Sequence, residues 1–301
     1  MSETNWINGP PKSILLATDL SARCDRALDR AVLLSQLWQA RLVILHVLED
    51  IWDPDSNSTE PSWRRPPNPC DVAEKQLLAD IGPLRETVDI VVDEGDPAEV
   101  IVRTAERKGC ELIVTGVAKD ELFGRFILGT TVDRLLRRSQ KPILIVKKRA
   151  RQTYSRIAVA IDFSDSSRHA LEAAIRYFPD QGLTIFHAYE ASMSGMTTDS
   201  AAYRRQYRRG VEQDYEAFLA SLKSGETIRQ RARSFIEYGA PNTVLRRGVQ
   251  DMNIDLTVLG TEGRGALSEF LVGSVGKHLM SELPSDILMI REPQGDIQAG
   301  A

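Results

Sequence analysis

The stretch Ile14-Leu15-Leu16-Ala17-Thr18-Asp19-Leu20-Ser21 returns later in the chain as Ile157-Ala158-Val159-Ala160-Ile161-Asp162-Phe163-Ser164. Each copy is a run of apolar residues that ends at an aspartate and a serine. A strand of a parallel sheet, buried on both faces, has this uninterrupted apolar pattern. The two aspartates lie 143 residues apart. The sequence therefore predicts a buried β-strand at the same place in each of two internal repeats.

Further segments repeat in the same order and at nearly the same spacing, which indicates a duplication of the whole chain. A length of 301 residues also suits two domains. The seam falls in a basic and polar stretch at residues 147–155, so we predict one domain at residues 1–149 and a second at residues 150–301. The matching segments are Val43–His46 with Thr184–His187, Leu112–Gly116 with Leu256–Gly260, and Ile143–Val146 with Ile287–Ile290.

Each half alternates strand and helix patterns, which is typical of a parallel sheet with helices on both faces. In the first half we predict strands at residues 14–18, 42–47, 87–92, 112–115 and 143–146. Ser21 is the predicted N-cap of the first helix, and the proline-rich segment 52–69 is a predicted exposed loop. Ligands bind such sheets at the carboxyl ends of the strands. The predicted apolar face of the first helix contains Ala27, Leu28, Ala31, Leu34 and Leu37.

Composition and charge argue against several classes of partner. The formal net charge is −4, whereas proteins that bind nucleic acid are usually basic. The apolar runs have the length of strands, so no membrane span is expected. The N-terminal segment lacks the pattern of a signal peptide, and the three cysteines are scattered. These features predict a cytoplasmic protein with reduced thiols. No HExxH motif or cysteine pair predicts a metal site.

A glycine-rich stretch follows the strand at residues 256–259 and reads Gly260-Thr261-Glu262-Gly263-Arg264-Gly265, with Gly273-Ser274-Val275 further on. A glycine loop that leads into a helix N-terminus is suited to anions, because free backbone amides and the helix dipole both favour negative charge. Arg264 could add a phosphate contact or face solvent. The loop lacks the lysine of a P-loop. On the loop alone, ordinary turn and cap glycines explain the pattern equally well.

The spacing Gly260-x2-Gly263-x9-Gly273-Ser274 resembles the ATP-binding signature of universal stress proteins, and the order of segments resembles their tandem, two-domain type. The resemblance covers nearly the whole chain. It implies two five-stranded parallel α/β domains of the adenine nucleotide α-hydrolase-like, Rossmann-like class, related by a pseudo-two-fold axis. It also implies ATP, with or without Mg, as the ligand of the second half.

Residue by residue, the resemblance places Asp162, with Ala160 and Ile161 beside it, at the adenine edge. Ala188 would line the adenine pocket. The alternative for Asp162 is a helix-start cap next to Ser164. The resemblance assigns ribose and phosphates to the glycine loop and the following helix start, namely Gly260, Gly263, Gly273, Ser274 and Val275.

The first half departs from this signature at one position. Its loop reads Gly116-Val117-Ala118-Lys119, followed by Gly129-Thr130, so Lys119 stands where the second half has Gly263. A side chain there would intrude on the approach of phosphate to backbone. We therefore predict a degenerate or non-ATP site in the first half, and altered nucleotide binding stays open.

Two functions from different classes remain. The first is a regulatory or protective ATP-binding module, and the second is a slow ATPase or phosphotransfer enzyme. The sequence offers no positioned base, which favours the first. A scaffold that binds nothing is the third alternative. The apolar last strands, Ile143–Val146 and Ile287–Ile290, are predicted to pair within one chain, and a homodimer of whole chains is a further expectation.

Overall fold

The computed structural model describes residues 9–21, 24–49, 63, 67–81, 87–119, 126–190, 200–261 and 280–291, without the side chains of residues 118–119, 126–127 and 200–206. The described chain forms two compact units that divide between Thr153 and Tyr154. The sequence boundary at 149/150 lies slightly earlier. Tyr154 belongs to the second unit because its buried hydroxyl donates to Asp286 at 2.6 Å.

The first unit is a five-stranded parallel sheet with helices between its strands. The sheet order is β3-β2-β1-β4-β7, and all four pairings are parallel. A short antiparallel pair, β5 with β6, was not predicted. The elements are β1 Ser13–Thr18, α1 Asp25–Trp38, β2 Arg41–Leu48, α2 Pro69–Ile81, β3 Val88–Glu94, α3 Pro97–Arg107, β4 Leu112–Gly116, β5 Ala118–Lys119, β6 Phe126–Ile127, α4 Thr130–Arg138 and β7 Ile143–Val146.

The second unit repeats this architecture. Its sheet order is β10-β9-β8-β11-β12, again with parallel pairing throughout. The predicted class, two tandem five-stranded parallel α/β domains, is thereby confirmed. The elements are β8 Ile157–Ala160, α5 Asp165–Tyr177, β9 Leu183–Tyr189, α6 Ser200–Ala220, α7 Gly225–Arg231, β10 Ala232–Tyr238, α8 Pro241–Asp251, β11 Leu256–Gly260 and β12 Asp286–Ile290.

The central strand of each sheet is buried along its length, as its apolar sequence predicts. In β1 and β8 the side chains from Ile14 to Leu16 and from Ile157 to Val159 are fully buried. Strands that are covered on both faces carry their functional residues at their ends rather than along their length. A ligand site is therefore expected at the carboxyl edge of each sheet.

The prediction for the start of the first helix is wrong. Helix α1 begins at Asp25, its N-cap is Cys24, and no side chain caps it. The backbone amide and the hydroxyl of Ser21 both donate to Oδ1 of Asp19. Helix α1 thus begins about one turn later than predicted.

Across the helices in the described ranges, none is both long enough and apolar enough to cross a bilayer. The predicted exposed loop at 52–69 lies largely outside the described residues. Trp63 is described and is strongly exposed, and Pro69 is the first residue of α2.

Candidate functional site

The carboxyl edge of the second sheet brings together the predicted site residues that the structure describes. Strands β9, β8 and β11 are neighbours in that order. The β8–β11 register pairs Val159 with Val258, and extending it by two residues brings Ile161 level with Gly260. The residues assembled at this edge are Ala160, Ile161, Asp162, Ala188 and Gly260.

Asp162 organises the turn between β8 and α5. Its Oδ1 accepts the backbone amide of Ser164 at 3.1 Å and also the Ser164 hydroxyl. The Ser164 hydroxyl in turn accepts the amide of Ser167 at 3.1 Å, which makes Ser164 the N-cap of α5. The capping alternative for Asp162 is thus partly right, because Asp162 holds the residue that caps the helix. Asp162 itself is half-buried.

The residue after this aspartate adopts a left-handed backbone in both halves. Phe163 has φ 62° and Leu20 has φ 58°. Bulky residues rarely occupy this region, and local strain of this kind persists only where surrounding contacts enforce it. The Phe163 ring stacks on His187, with ring centroids 4.2 Å apart. This packing fixes the backbone direction immediately after Asp162.

A histidine at the end of the second strand ties that strand to the turn. His187 Nδ1 lies 2.9 Å from the carbonyl oxygen of Ile161, and His46 Nδ1 lies 2.9 Å from that of Thr18. Burial lowers the pKa of His187, although its contact with the Ile161 carbonyl and the charge of Asp162 oppose the shift. A neutral, hydrogen-bonded imidazole fits a packing role for His187.

Gly260 is a glycine because of protein packing. A Cβ at this position would lie 2.4 Å from Ser166 Oγ and 2.8 Å from the backbone carbonyl carbon of Ser166. The end of β11 therefore approaches the first turn of α5 more closely than any side chain allows. The signature resemblance implies a role beside ribose and phosphate, whereas the described contacts show a packing role.

Thr261, which follows Gly260, is a site residue that the sequence reading missed. Its side chain is only 8% exposed, and its backbone amide donates to Ile290. Its buried hydroxyl finds no hydrogen-bond partner among the residues that the structure describes. An unpaired buried hydroxyl is costly and calls for a partner. Only the burial of this hydroxyl marks Thr261 as a site residue, since a threonine after a strand does not stand out in a sequence.

The remaining predicted site residues lie outside the described residues. They are Gly263, Arg264, Gly273, Ser274 and Val275. The predicted helix after Gly273 is described only at its end, where residues 280–282 are helical.

The first half has a cavity at the corresponding edge of its own sheet. Its volume is about 280 Å³. It opens where β1, β2 and β4 end and where α3 and α4 begin, and Asp19, Gly116 and Gly129 line it. The side chain of Lys119 lies outside the described residues. The predicted degeneracy of this site therefore stays a prediction.

These features define a protein of two repeated parallel α/β domains, each with a candidate ligand site at the carboxyl edge of its sheet. The sequence pattern of the universal stress protein family matches residues 11–147 and again residues 153–291. The chain belongs to this family, and its two matches make it the tandem type.

Proteins about half as long as this chain and proteins of about its full length are both similar to it. A candidate universal stress protein from Staphylococcus haemolyticus is 25% identical over 150 residues, which cover 46% of this chain and 86% of that protein. A universal stress protein from Archaeoglobus fulgidus has the same fold over 93% of this chain and 98% of its own, with a TM-score of 0.64 and 20% identity. A candidate universal stress protein from Pseudomonas aeruginosa covers 96% of both chains, with a TM-score of 0.61 and 22% identity.

Proposed function

We propose that the second half binds ATP, with or without Mg, and that the chain acts as a regulatory or protective nucleotide-binding module. Ala160, Ile161, Asp162 and Ala188 would face the purine. The proposal assigns ribose and phosphates to the glycine loop, namely Gly260, Gly263, Arg264, Gly273, Ser274 and Val275. Mg²⁺, where present, would supply charge neutralisation for the triphosphate.

The single observation that carries this proposal is the buried hydroxyl of Thr261, for which no described residue is a partner. It lies between the packed end of β11 and the glycine loop, where the family signature expects a polar ligand. A ribose or phosphate oxygen would give this hydroxyl a partner and remove the cost of leaving it unpaired. The equivalent position of the first half is Val117, which needs no such partner.

The helix starts of the two halves support the same assignment. Helix α8 begins after Ala240, which makes no side-chain hydrogen bond to the first turn. The amide of Thr243 donates to Asn242 Oδ1 at 2.8 Å, which leaves the amide of Asn242 in the first turn for an anion. In the first half, Asp96 occupies this position and accepts the amide of Glu99 at 3.0 Å. The second half thus keeps positive potential that the first half neutralises internally.

The alternative function is slow ATP hydrolysis or phosphotransfer. Phosphoryl transfer needs a group that orients or deprotonates the nucleophile, and the sequence around the glycine loop offers none that is obvious. Mg-dependent turnover that is abolished by Gly263→Lys would establish the enzymatic alternative. Turnover that persists in Gly263→Lys would come from elsewhere and would not support it.

Thr261→Val tests the proposal with an almost isosteric change that copies the first half. One hydrogen bond contributes about 0.5–1.5 kcal/mol, so ATP should bind roughly 2- to 12-fold more weakly. Affinity is measured by titration calorimetry on the full chain. Thr184→Val, at the amino end of β9, is the matched control and should bind ATP like the wild type.

The outcomes separate two claims. Equal affinity of Thr261→Val and wild type would contradict the role of Thr261 alone, whereas absence of ATP binding by the wild type would contradict the proposed function. One solved universal stress protein is described in complex with cAMP; it covers 46% of this chain, with 20% identity and a TM-score of 0.31. That nucleotide is therefore the comparison ligand in the same titration.

A further inference from the structure

Strand β10 forms the outer edge of the second sheet. It is seven residues long, and among the described strands only β9 pairs with it. An edge strand presents a row of backbone amides and carbonyls that can pair with another strand. Four of the seven residues are exposed, and Ser234 and Tyr238 are among them. This edge is therefore a candidate surface for pairing with a further strand.

The backbone groups of β10 alternate between the two sides of the strand. The amide of Gly239, directly after β10, donates to the carbonyl of Tyr189 on β9. In a regular strand the odd-numbered residues therefore direct their amides and carbonyls toward β9, whereas those of Ser234, Ile236 and Tyr238 point outward. These three residues can offer hydrogen bonds to a strand that approaches from outside.

The sequence of β10 is self-complementary in charge about its central residue, Phe235. Arg233 lies two residues before Phe235, and Glu237 lies two residues after it. If two copies of β10 pair in antiparallel fashion about Phe235, Arg233 of each copy lies directly opposite Glu237 of the other. The outward groups of Ser234 and Ile236 then exchange hydrogen bonds between the copies. The opposite charges fall at the non-hydrogen-bonded positions, where side chains approach most closely and stabilise the pairing.

The side chains of this register are placed to meet a second copy. Arg233 and Glu237 are both exposed, and they share one face of the strand with Phe235. Phe235 is half-buried and stacks on Phe186 of β9, with ring centroids 5.7 Å apart. Two Phe235 rings would meet at the centre of the paired strands, and aromatic pairs across strands add stability.

The equivalent edge strand of the first half lacks this complementarity. Strand β3 is also seven residues long, and it pairs with β2 in the same register as β10 pairs with β9. Asp89 therefore corresponds to Arg233, and Asp93 corresponds to Glu237. Self-pairing of β3 about Val91 would set Asp89 opposite Asp93, and like charges in that position are destabilising.

The carboxylates of β3 instead form ion pairs within the first half. Asp89 pairs with Lys108 at 2.9 Å, and Asp93 pairs with Arg103 at 3.2 Å. The replacement of an aspartate by an arginine at one position of the repeat, residue 233, thus gives the second half an edge whose charges match a second copy of itself.

From these observations we propose that β10 is a homodimer surface, on which a second copy of this chain adds its own β10 in the antiparallel register centred on Phe235. Seven residues from each copy make a small interface beside the roughly 20–30 residues a side of a standard stable complex. The dimer is therefore concentration-dependent, with a dissociation constant between about 1 μM and about 1 mM. The surface is separate from the ATP site proposed for the second half and does not depend on that proposal.

Charge reversal in the full chain tests the register, with sedimentation velocity from about 5 μM to about 500 μM as the measure of association. Arg233→Glu and Glu237→Arg should each weaken dimerisation at least about fivefold, because two cross-strand pairs become repulsive. The double variant Arg233→Glu/Glu237→Arg restores both pairs and should dimerise like the wild type. Lys75→Glu, the same charge change on the exposed side of α2, is the matched control and should leave dimerisation unchanged.

An equimolar mixture of the two single variants gives a second readout. Chains with Arg233→Glu and chains with Glu237→Arg should form mixed dimers, since every charged pair across the strands is then of opposite sign. Hydrogen exchange followed by NMR tests the strand pairing itself. The outward amides of Ser234 and Ile236 should exchange more slowly as the concentration of the wild-type chain rises.

Four results would overturn the proposal. The first is a wild-type chain that stays monomeric over the whole concentration range, as it would if another segment of the same chain covered β10. The second is a dimer that Arg233→Glu leaves unchanged, as it would if the last strands formed the interface. The third is a mixture that associates no better than either single variant, and the fourth is exchange at Ser234 and Ile236 that does not depend on concentration. Failure of ATP to bind would alter none of these measurements, so the two proposals fail separately.

Discussion

At the scale of one residue, the burial and hydrogen bonding of His187 stabilise the carboxyl edge of the second sheet. It stacks on Phe163 and bonds the carbonyl of Ile161, so it holds the turn that presents Asp162. Burial is the largest influence on this histidine and favours its neutral form. The stability of the second half should therefore depend on pH through this residue.

The sign of that dependence follows from the lowered pKa of His187. As the pH falls below the ordinary histidine value of about 6.5, the unfolded chain takes up the proton before the folded chain does. The free energy of unfolding should therefore decrease between about pH 7 and about pH 5. His187→Asn keeps a donor for the Ile161 carbonyl but cannot titrate, so its pH dependence should be flatter.

Urea unfolding followed by far-UV circular dichroism, at several pH values, measures this difference. A titration of the His187 ring by NMR in the wild type gives the pKa independently. Identical pH slopes for wild type and His187→Asn, or a His187 pKa above the ordinary value, would contradict this account.

The sequence could predict Asp162 as a site residue but not Thr261. Asp162 ends a repeated apolar strand, and the position of that aspartate is visible in both halves. Thr261 matters because its hydroxyl is buried without a described partner, and burial is a property of the folded chain. Likewise, the sequence marks Gly260 as part of a glycine loop, but it does not reveal the contact with Ser166 that requires a glycine there.

At the scale of elements, the contact between β11 and α5 depends on the absence of a side chain at Gly260. Gly260→Ala would place a methyl group against backbone atoms of Ser166 that cannot rotate away. Overpacking of this kind costs about 1–3 kcal/mol and would push α5 away from the sheet. Gly182→Ala is the matched change, because Gly182 lies outside the helices and strands and no atom lies within 4 Å of the new Cβ.

Thermal unfolding of the two variants provides the measurement. Gly260→Ala should lower the melting temperature clearly, and Gly182→Ala should leave it nearly unchanged. Equal stability of both variants would show that the end of β11 does not pack on α5 as described.

The start of α1 was predicted wrongly. Ser21 has the sequence of an N-cap, yet Asp19 engages it in a turn and α1 begins later. Ser164 sits at the same place in the second half and does cap its helix. Both serines donate to the preceding aspartate in the same way, so this turn does not account for the difference between the two helix starts. Leu37, predicted to face the core, is 51% exposed near the end of α1.

At the scale of the whole molecule, pairing of the two last strands within one chain stays a prediction. Within its own domain β7 pairs with β4 and β12 pairs with β11. If β7 and β12 also pair with each other, their outward backbone amides should exchange hydrogen as slowly as those of β1 and β8. Hydrogen exchange mass spectrometry of the full chain tests this. Rapid exchange confined to β7 and β12 would contradict the pairing.

Duplication has left the two halves with one architecture and different chemistry at their strand ends. The second half has Thr261 where the first has Val117. It has Ala240 where the first has Asp96, which caps α3 and is ion-paired. The backbone turn after the first strand is retained in both halves. A common scaffold with divergent polar groups is the expected result when one copy keeps a ligand and the other changes it.

The most direct test of this account is a calorimetric titration of the full chain with ATP that measures stoichiometry as well as affinity. We predict one ATP per chain, lost in Gly263→Lys and retained in the matched variant Gly182→Lys, which changes an exposed glycine at the amino end of β9. No binding by the wild type, two equivalent sites, or binding that survives Gly263→Lys would contradict the claim that the second half alone holds ATP.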